Sequence, residues 1–336
     1  ITENSPVLLP VYHTTVTAQI EVTVDQEGNF LKAMRVLEEE KSTVIPVTDK
    51  SSSRTRTPFP HPLCDNLKYL AGDYMQYVQG NDNSEIYKIY LEELEKWVQS
   101  PYSHEKVEAI YKYLCKKTLM KDLICVGVLE TDKNGNVDSK KKIQNVSQAD
   151  AFVRFRVENG VLLIEGALED RSGSFFSECW KDRTLQEQYI RYCRSTQKTK
   201  GLSYLSGQYM GISYLQPKKI RNEGDGTKLI SSNDDKEFTF RGRFRDKEEA
   251  FAIGYEDSQE VHNALKWIIR KQGTYYDGMC LVTWESKLQP LPDWQAGSDT
   301  ISKSQEWEKD SVESEWEQEK DEEEQEGRAT ETGDAE

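Results

Sequence analysis

The chain has 336 residues, 36% of them hydrophobic and 10% aromatic, which is enough to build a globular core in about two domains. The composition excludes a membrane span, because no apolar run approaches the roughly 20 residues that one needs, and the first residues lack the pattern of a signal peptide. The net charge is −15, but residues 305–336 hold 15 acidic and 3 basic side chains and so contribute −12 of it. The nearly neutral remainder argues against a free-standing, non-specific DNA-binding protein and leaves room for a local basic site.

The cysteines and histidines do not form the pattern of a metal site. The six cysteines contain no CxxC pair, and the four histidines stand far apart in the sequence. Scattered single cysteines are typical of a reducing compartment, where they act as small buried hydrophobic side chains. We therefore expect a cytoplasmic protein without a metal ion, a cofactor or a membrane anchor.

The first third of the chain predicts strands and then helices. Strict alternation over Thr15 to Val24 predicts one half-buried strand, Phe30 to Val36 predicts its returning partner, and Thr43 to Val47 predicts a third strand. Helical spacing then predicts two helices, which begin near Ser84 and Ser103.

The rest of the sequence predicts further strands and further helices. The further strand predictions cover Leu123 to Leu129, a hairpin over Ala151 to Ile164 turning at Asn159-Gly160, Thr227 to Ser231, Phe238 to Phe244 and Cys280 to Trp284. The further helix predictions cover Leu185 to Cys193 and Asp257 to Gln272, the second with Val261, Leu265, Ile268 and Ile269 facing inward.

The order of these elements predicts an α+β fold in which antiparallel hairpins and sheets pack with helices. We expect residues 1–294 to form this α+β region, divisible into subdomains near 1–145 and 146–294. Residues 295–336 combine high charge with few apolar side chains, which predicts an acidic linker or disordered tail.

One carboxylate pair, Asp234 and Asp235, could serve a nucleic-acid-processing enzyme by binding metal ions. A turn between two strands explains the same residues better, because Asn and Asp favour turns. The chain contains no HExxH, GxSxG or P-loop motif that would support catalysis. We therefore expect a protein without enzymatic activity and keep the enzyme as the alternative.

Two predicted strands carry arginine beside aromatic residues. Period-2 spacing puts Arg154 and Arg156 on one face, and it does the same for Arg241 and Arg243. Arginine with aromatic rings forms a surface that can contact phosphates and stack on bases, and Lys228 lies nearby in sequence. Cross-strand ion pairs on a sheet face are an equally good explanation.

The stretch from Ser51 to Thr57 contains no acidic residue and predicts an exposed loop before a proline-rich exit. Its candidate DNA-contacting residues, suited to phosphates and groove edges, are Ser51, Ser52, Ser53, Arg54 and Arg56. An ordinary flexible surface loop is the alternative explanation.

Four blocks of sequence, in order, resemble the large subunit of the type I-C (Dvulg subtype) CRISPR Cascade surveillance complex. The blocks are His61 to Tyr74, Phe152 to Val157, Lys228 to Phe244 and Ile253 to Trp267. The resemblance implies further that family members continue into a C-terminal helical domain, whereas this sequence stops at Glu336.

The resemblance implies a non-enzymatic subunit that recognises the protospacer-adjacent motif and binds target double-stranded DNA in antiviral defence. Guide RNA would read the remaining target sequence by base pairing. The implied partners are the backbone and RNA-processing subunits, guide RNA, target DNA and a separately recruited helicase-nuclease. It also implies that the motif-reading loop precedes the His61 to Tyr74 block, which is where Ser51 to Arg56 lies.

Overall fold

The computed structural model describes residues 8–52, 54, 59–80, 82–138, 140–158, 177–214, 216–218, 220–222, 225–230 and 252–284. The chain divides into two compact units, Ile1–Trp267 and Ile268–Glu336. The described residues contain helices together with antiparallel and mixed sheets, which confirms the α+β prediction. No helix in these residues is both long and apolar enough to cross a membrane.

The elements follow one another in this order. The first half contains β1 (His13–Thr17), β2 (Ile20–Asp25), β3 (Phe30–Arg35), β4 (Ser42–Pro46), α1 (Asp49–Ser52), α2 (Leu67–Leu70), α3 (Tyr74–Tyr77), α4 (Ser84–Val98), α5 (Glu105–Cys115) and α6 (Leu119–Cys125). The second half contains β5 (Lys142–Ile143), β6 (Val146–Ser147), β7 (Val153–Glu158), α7 (Arg183–Thr196), β8 (Lys200–Leu202), β9 (Tyr209–Gly211), α8 (Tyr255–Gln272), β10 (Thr274–Tyr276) and β11 (Met279–Leu281).

The central sheet of the first unit has the strand order β3-β2-β7. Strand β2 pairs antiparallel with β3 and parallel with β7, so strands from both sides of residue 145 share one sheet. Both faces of β2 are covered, because Ile20 and Val22 on one face and Glu21 and Thr23 on the other are all buried. The prediction of a half-buried strand is therefore wrong for this segment.

The predicted strand from Thr15 to Val24 is in fact two strands. Strand β1 ends at Thr17 and pairs with β4, whereas β2 begins at Ile20 and belongs to the central sheet. The Gln19 side chain accepts a hydrogen bond from the Phe152 backbone N–H at 2.7 Å, and its backbone carbonyl accepts one from the Val36 N–H at 2.9 Å. These long-range bonds replace the ladder bonds that a continuous strand would have made.

Buried tyrosines connect the helices to the strands and loops. Tyr74, Tyr87, Tyr90 and Tyr189 are buried, and each donates its hydroxyl hydrogen to a backbone carbonyl distant in sequence. Tyr189 of α7, for example, donates to the Val47 carbonyl at 3.0 Å. A buried hydroxyl needs such a partner, so each tyrosine supplies apolar area and also fixes one loop.

The helices predicted near Ser84, near Ser103, over Leu185 to Cys193 and over Asp257 to Gln272 are confirmed as α4, α5, α7 and α8. The strand predicted over Leu123 to Leu129 is wrong, because α6 ends within it at Cys125. The Thr118 hydroxyl donates to the Asp122 carboxylate at 2.8 Å at the start of α6. A short apolar run does not distinguish a buried strand from a buried helix.

Several other predictions change or lie outside the described residues. Val261, expected to face inward, is 50% exposed, and His262 takes the buried position in its place. Thr227 to Ile230 is not a strand, and β11 is shorter than predicted. The turn at Asn159-Gly160, the strand over Phe238 to Phe244 and the tail over 295–336 lie outside the described residues.

Candidate nucleic-acid interface

The candidate motif-reading segment follows β4 and begins with a single helical turn, α1. The Thr48 backbone N–H donates to the Ser51 hydroxyl at 2.9 Å, and the Ser51 N–H donates to the Thr48 hydroxyl at 3.1 Å. This reciprocal pair caps α1 and leaves Ser51 only 1% exposed. The prediction that this stretch is an exposed loop is therefore wrong at Ser51, whereas Ser52 is exposed.

Arg54 holds the segment to the core through a buried carboxylate. Its Nη1 and Nη2 atoms each donate to an oxygen of Asp65 at 2.7 Å, and Asp65 is 0% exposed. The backbone N–H groups of His61 and Asn66 donate to the same carboxylate at 2.7 and 2.8 Å. Four donors converge on two oxygens, which is the arrangement that an ionised carboxylate requires when it is buried.

Two further contacts fix the Arg54 guanidinium. It donates to the Phe59 carbonyl at 2.8 Å and lies over the Tyr69 ring at 4.7 Å from the ring centre. Its side chain is only 20% exposed. Arg54 therefore positions the segment, and its polar atoms face protein groups instead of an open groove.

Several other candidate residues lie outside the described residues, and one further residue, Lys50, joins the candidates. Ser53 and Arg56 lie outside the described residues, as do Arg241, Arg243, Asp234 and Asp235. Lys50, which the sequence interpretation did not include, is exposed, and its Nζ atom lies 5.4 Å from the centre of the Phe59 ring. A lysine directly before the serine run was the available signal for it.

Arg154 on β7 lies in the core. It is 2% exposed, and its Nε and Nη2 atoms donate to the Glu21 carboxylate at 3.0 and 2.7 Å. Its Nη1 atom donates to the Glu40 carbonyl at 2.7 Å, and the guanidinium lies 3.8 Å from the centre of the Trp180 ring. This geometry matches the cross-strand ion pair, so Arg154 stabilises the sheet and is not an accessible contact for phosphate.

Arg156 reaches nearer to the surface but is also paired. Its Nε atom donates to Glu21 at 3.0 Å and its Nη2 atom to Glu178 at 3.2 Å, with 27% of the side chain exposed. The period-2 prediction that Arg154 and Arg156 share a strand face is correct. That face, however, contains carboxylates that neutralise both charges.

The surroundings of Lys228 change its pKa. Partial burial and the positive charge of Lys218 together lower its pKa from the ordinary lysine value. The charge of Lys218 therefore reaches Lys228, although the two lysines are ten positions apart in the sequence. The sequence placed Lys228 among the basic candidates but did not predict that Lys218 acts on it.

A cavity of about 400 Å³ opens beside the candidate segment, between it and helices α4 and α7. Aromatic rings form much of its lining, among them Tyr12, Phe59, Trp97, Tyr189, Tyr192 and Tyr255. Helical spacing does not show which ring faces an opening, so the sequence did not indicate this cavity. We name this cavity the aromatic pocket.

Within the described residues, no three His, Cys, Asp or Glu side chains are grouped so that they could hold a metal ion. The chain matches no curated protein. The sequence model of the CRISPR-associated protein (Cas_Csd1) family matches residues 1–332, which is nearly the whole length. The chain therefore belongs to the Cas_Csd1 family of CRISPR-associated proteins.

Proposed function

We propose that the chain is the non-enzymatic large subunit of a type I-C CRISPR surveillance complex, that it acts in the cytoplasm, and that it recognises the protospacer-adjacent motif in target double-stranded DNA. Membership of the Cas_Csd1 family supports a role in a CRISPR effector complex. The four sequence blocks from His61 to Trp267 support the subtype and the large-subunit role.

The observation that supports motif reading best is the clamp between Arg54 and Asp65. It anchors Arg54, which lies in a stretch, residues 50–57, where every residue is basic or carries a hydroxyl group and no carboxylate repels phosphate. A segment that is already held in place loses less conformational entropy when it binds. Such a segment suits contacts to groove edges and flanking phosphates.

The structure changes the roles within the segment. Ser51 caps α1 and Arg54 positions the chain. The proposed DNA contacts are therefore Ser52, Ser53 and Arg56, together with the exposed Lys50. In this proposal guide RNA reads the remaining sequence by base pairing, and the partners are the backbone and RNA-processing subunits and a recruited helicase-nuclease.

The test compares Arg56→Ala with Arg54→Ala in the assembled complex, on targets with and without the motif. Arg56→Ala should leave the melting temperature unchanged and weaken binding of the motif-bearing target by roughly 1–3 kcal/mol. Arg54→Ala should also lower the melting temperature, because the loss of one partner of a buried ion pair costs about 3–5 kcal/mol of stability. Arg191→Ala, an exposed position on α7, is the matched control.

Three results would count against the proposal. Equal losses on both targets would mean that Arg56 contacts phosphate without reading the motif. No loss at all would place motif reading elsewhere in the chain. A complex whose affinity does not depend on the motif would show that the proposed function itself is wrong.

A further inference from the structure

Aromatic residues of two helices form part of the lining of the aromatic pocket. On the helix side, Tyr192 of α7 stacks on Trp97 of α4 with 6.1 Å between ring centres and 20° between ring planes. Tyr189 completes this cluster at 4.8 Å from Trp97. Trp97 and Tyr189 are fully buried, whereas Tyr192 is half-buried and lines the cavity. Tyr192 therefore contributes accessible surface to the cavity.

Another part of the lining of the aromatic pocket comes from Lys50 and from residues 59–62, which follow the candidate motif-reading segment in the sequence. Phe59 is half-buried, and the exposed Lys50 lies over its ring. Phe59 also takes part in the Arg54 clamp through its carbonyl oxygen. The clamp thus also fixes Phe59 at the pocket, close in sequence to the proposed DNA contacts.

Polar groups in the lining favour a ligand with hydrogen-bonding edges. His61 is only 8% exposed, it lines the cavity, and no described residue bonds to its Nδ1 atom. Burial and the charge of Arg54 lower the pKa of His61 to about 3, so the ring is neutral near pH 7. Thr48 and Gln197 add polar atoms to the same lining. The lining thus combines apolar ring surface with polar groups.

We propose that the aromatic pocket binds one nucleobase that has left the stack of the target DNA beside the motif-reading segment. The base would stack on Phe59 and Tyr192, its polar edge would face His61, and Lys50 would pair with an adjacent phosphate. The exposed carboxylate of Glu93 also lines the pocket, which confines the phosphate to the Lys50 side. The volume of about 400 Å³ is in the range of small-ligand sites. This inference rests on the proposed function.

The test combines pocket variants with single abasic sites in the DNA. The assembled complex is titrated with motif-bearing duplexes in which one position at a time, within the motif or beside it, carries a tetrahydrofuran abasic residue. With the unmodified chain, removal of the inserted base should weaken binding roughly tenfold at one position. The variant Tyr192→Leu keeps apolar bulk but lacks the aromatic ring. With this variant, the abasic residue at the same position should not weaken binding further.

Three further variants make the result specific. Tyr192→Phe keeps the ring and should retain the full abasic effect. Tyr209→Leu makes the same change on β9, at a side chain that is 74% exposed, and should behave as the unmodified chain. Phe59→Leu tests the other part of the pocket lining and replaces Tyr192→Leu if that variant has a lowered melting temperature.

The possible outcomes separate the two proposals. If the complex discriminates the motif but no abasic position couples to Tyr192 or Phe59, the pocket inference is wrong and the proposed function stands. If the pocket variants prevent assembly of the complex, the pocket holds a protein partner and the inference is again wrong. If the unmodified complex does not discriminate the motif, both proposals are wrong.

Discussion

At the scale of single residues, two arginines predicted to contact DNA form buried ion pairs. Arg54 pairs with Asp65 and Arg154 with Glu21, and both carboxylates are buried. The planar guanidinium matches a carboxylate with two parallel hydrogen bonds, just as it matches a phosphate. Local sequence therefore predicts an arginine that binds an anion, but it does not show whether that anion belongs to DNA or to the protein.

We expect Arg154→Gln to lower stability without changing the salt dependence of DNA binding. Breaking the pair should cost roughly 3 kcal/mol, at the low end for a buried pair because Arg156 still contacts Glu21 at 3.0 Å. Arg241→Gln/Arg243→Gln should instead reduce the slope of log K against log salt by about 1 for each phosphate that the variant no longer binds. Thermal unfolding and salt titrations of the assembled complex measure the two effects. An unchanged melting temperature with a flatter slope for Arg154→Gln would assign it to DNA after all.

Burial of His13 predicts that acid weakens the fold. Burial lowers its pKa to about 4, its Nδ1 atom bonds to the Val11 carbonyl at 2.8 Å, and no described residue bonds to Nε2. An unfolded histidine titrates near pH 6.5, so the unfolded state binds a proton below that pH. The folded state does not bind this proton until about pH 4. The free energy of unfolding should thus be highest above pH 6.5 and should decrease as the pH drops below that value.

The variant His13→Phe isolates this effect. Phenylalanine keeps a ring against Tyr189, whose centre lies 5.7 Å from that of His13, but it does not titrate. Between pH 7 and pH 5 the unmodified chain should lose about 2 kcal/mol more unfolding free energy than the variant. Denaturant titrations at the two pH values measure the difference, and equal losses would show that His13 is not the titrating group.

At the scale of elements, the turn between β2 and β3 packs directly on α5. Gly28 has φ +74°, and a Cβ atom placed there would lie 2.7 Å from the Ala109 carbonyl oxygen and 2.8 Å from the Tyr113 backbone nitrogen. The Gly28 carbonyl also accepts a hydrogen bond from Lys116 Nζ at 2.7 Å. The hairpin thus reaches the helix closely enough that only glycine fits.

Two glycine variants distinguish the stability cost of a strained backbone conformation from the stability cost of overpacking. Gly135 has φ +84°, and a Cβ atom at that position would have no neighbour within 4 Å, so Gly135→Ala should cost only about 1 kcal/mol for the left-handed backbone. Gly28→Ala adds overpacking against α5 and should cost roughly 1–3 kcal/mol more. Chemical denaturation of both variants gives the comparison. Equal losses would mean that the turn moves away from α5 at little cost.

The elements that sequence predicted well are long and have one apolar face. Helices α4, α5 and α7 repeat buried residues every three or four positions over 11 to 15 residues. Helix α6 has seven residues, too few for that period to stand out from a strand. Strand β2 shows the opposite problem, because its alternating polar side chains are buried within the protein instead of facing solvent.

At the scale of the whole molecule, the proposed role predicts that the purified chain does not cleave DNA or RNA by itself. The sequence lacks the recognisable motifs of such enzymes, and Asp234 with Asp235 is the carboxylate pair to test. Incubation with Mg²⁺ or Mn²⁺ and labelled single- and double-stranded substrates should leave them intact. Cleavage that disappears in Asp234→Ala/Asp235→Ala would establish the enzyme instead.

The sequence by itself determined the α+β class, the long helices and the blocks that resemble the family, because these depend on neighbours along the chain. Only the tertiary structure decided which arginines are accessible and where the aromatic pocket lies. Arg154 meets Glu21 from 133 positions away, and the pocket combines Tyr12 with Tyr255. Burial and pairing depend on partners that folding brings together, and no local pattern specifies those partners.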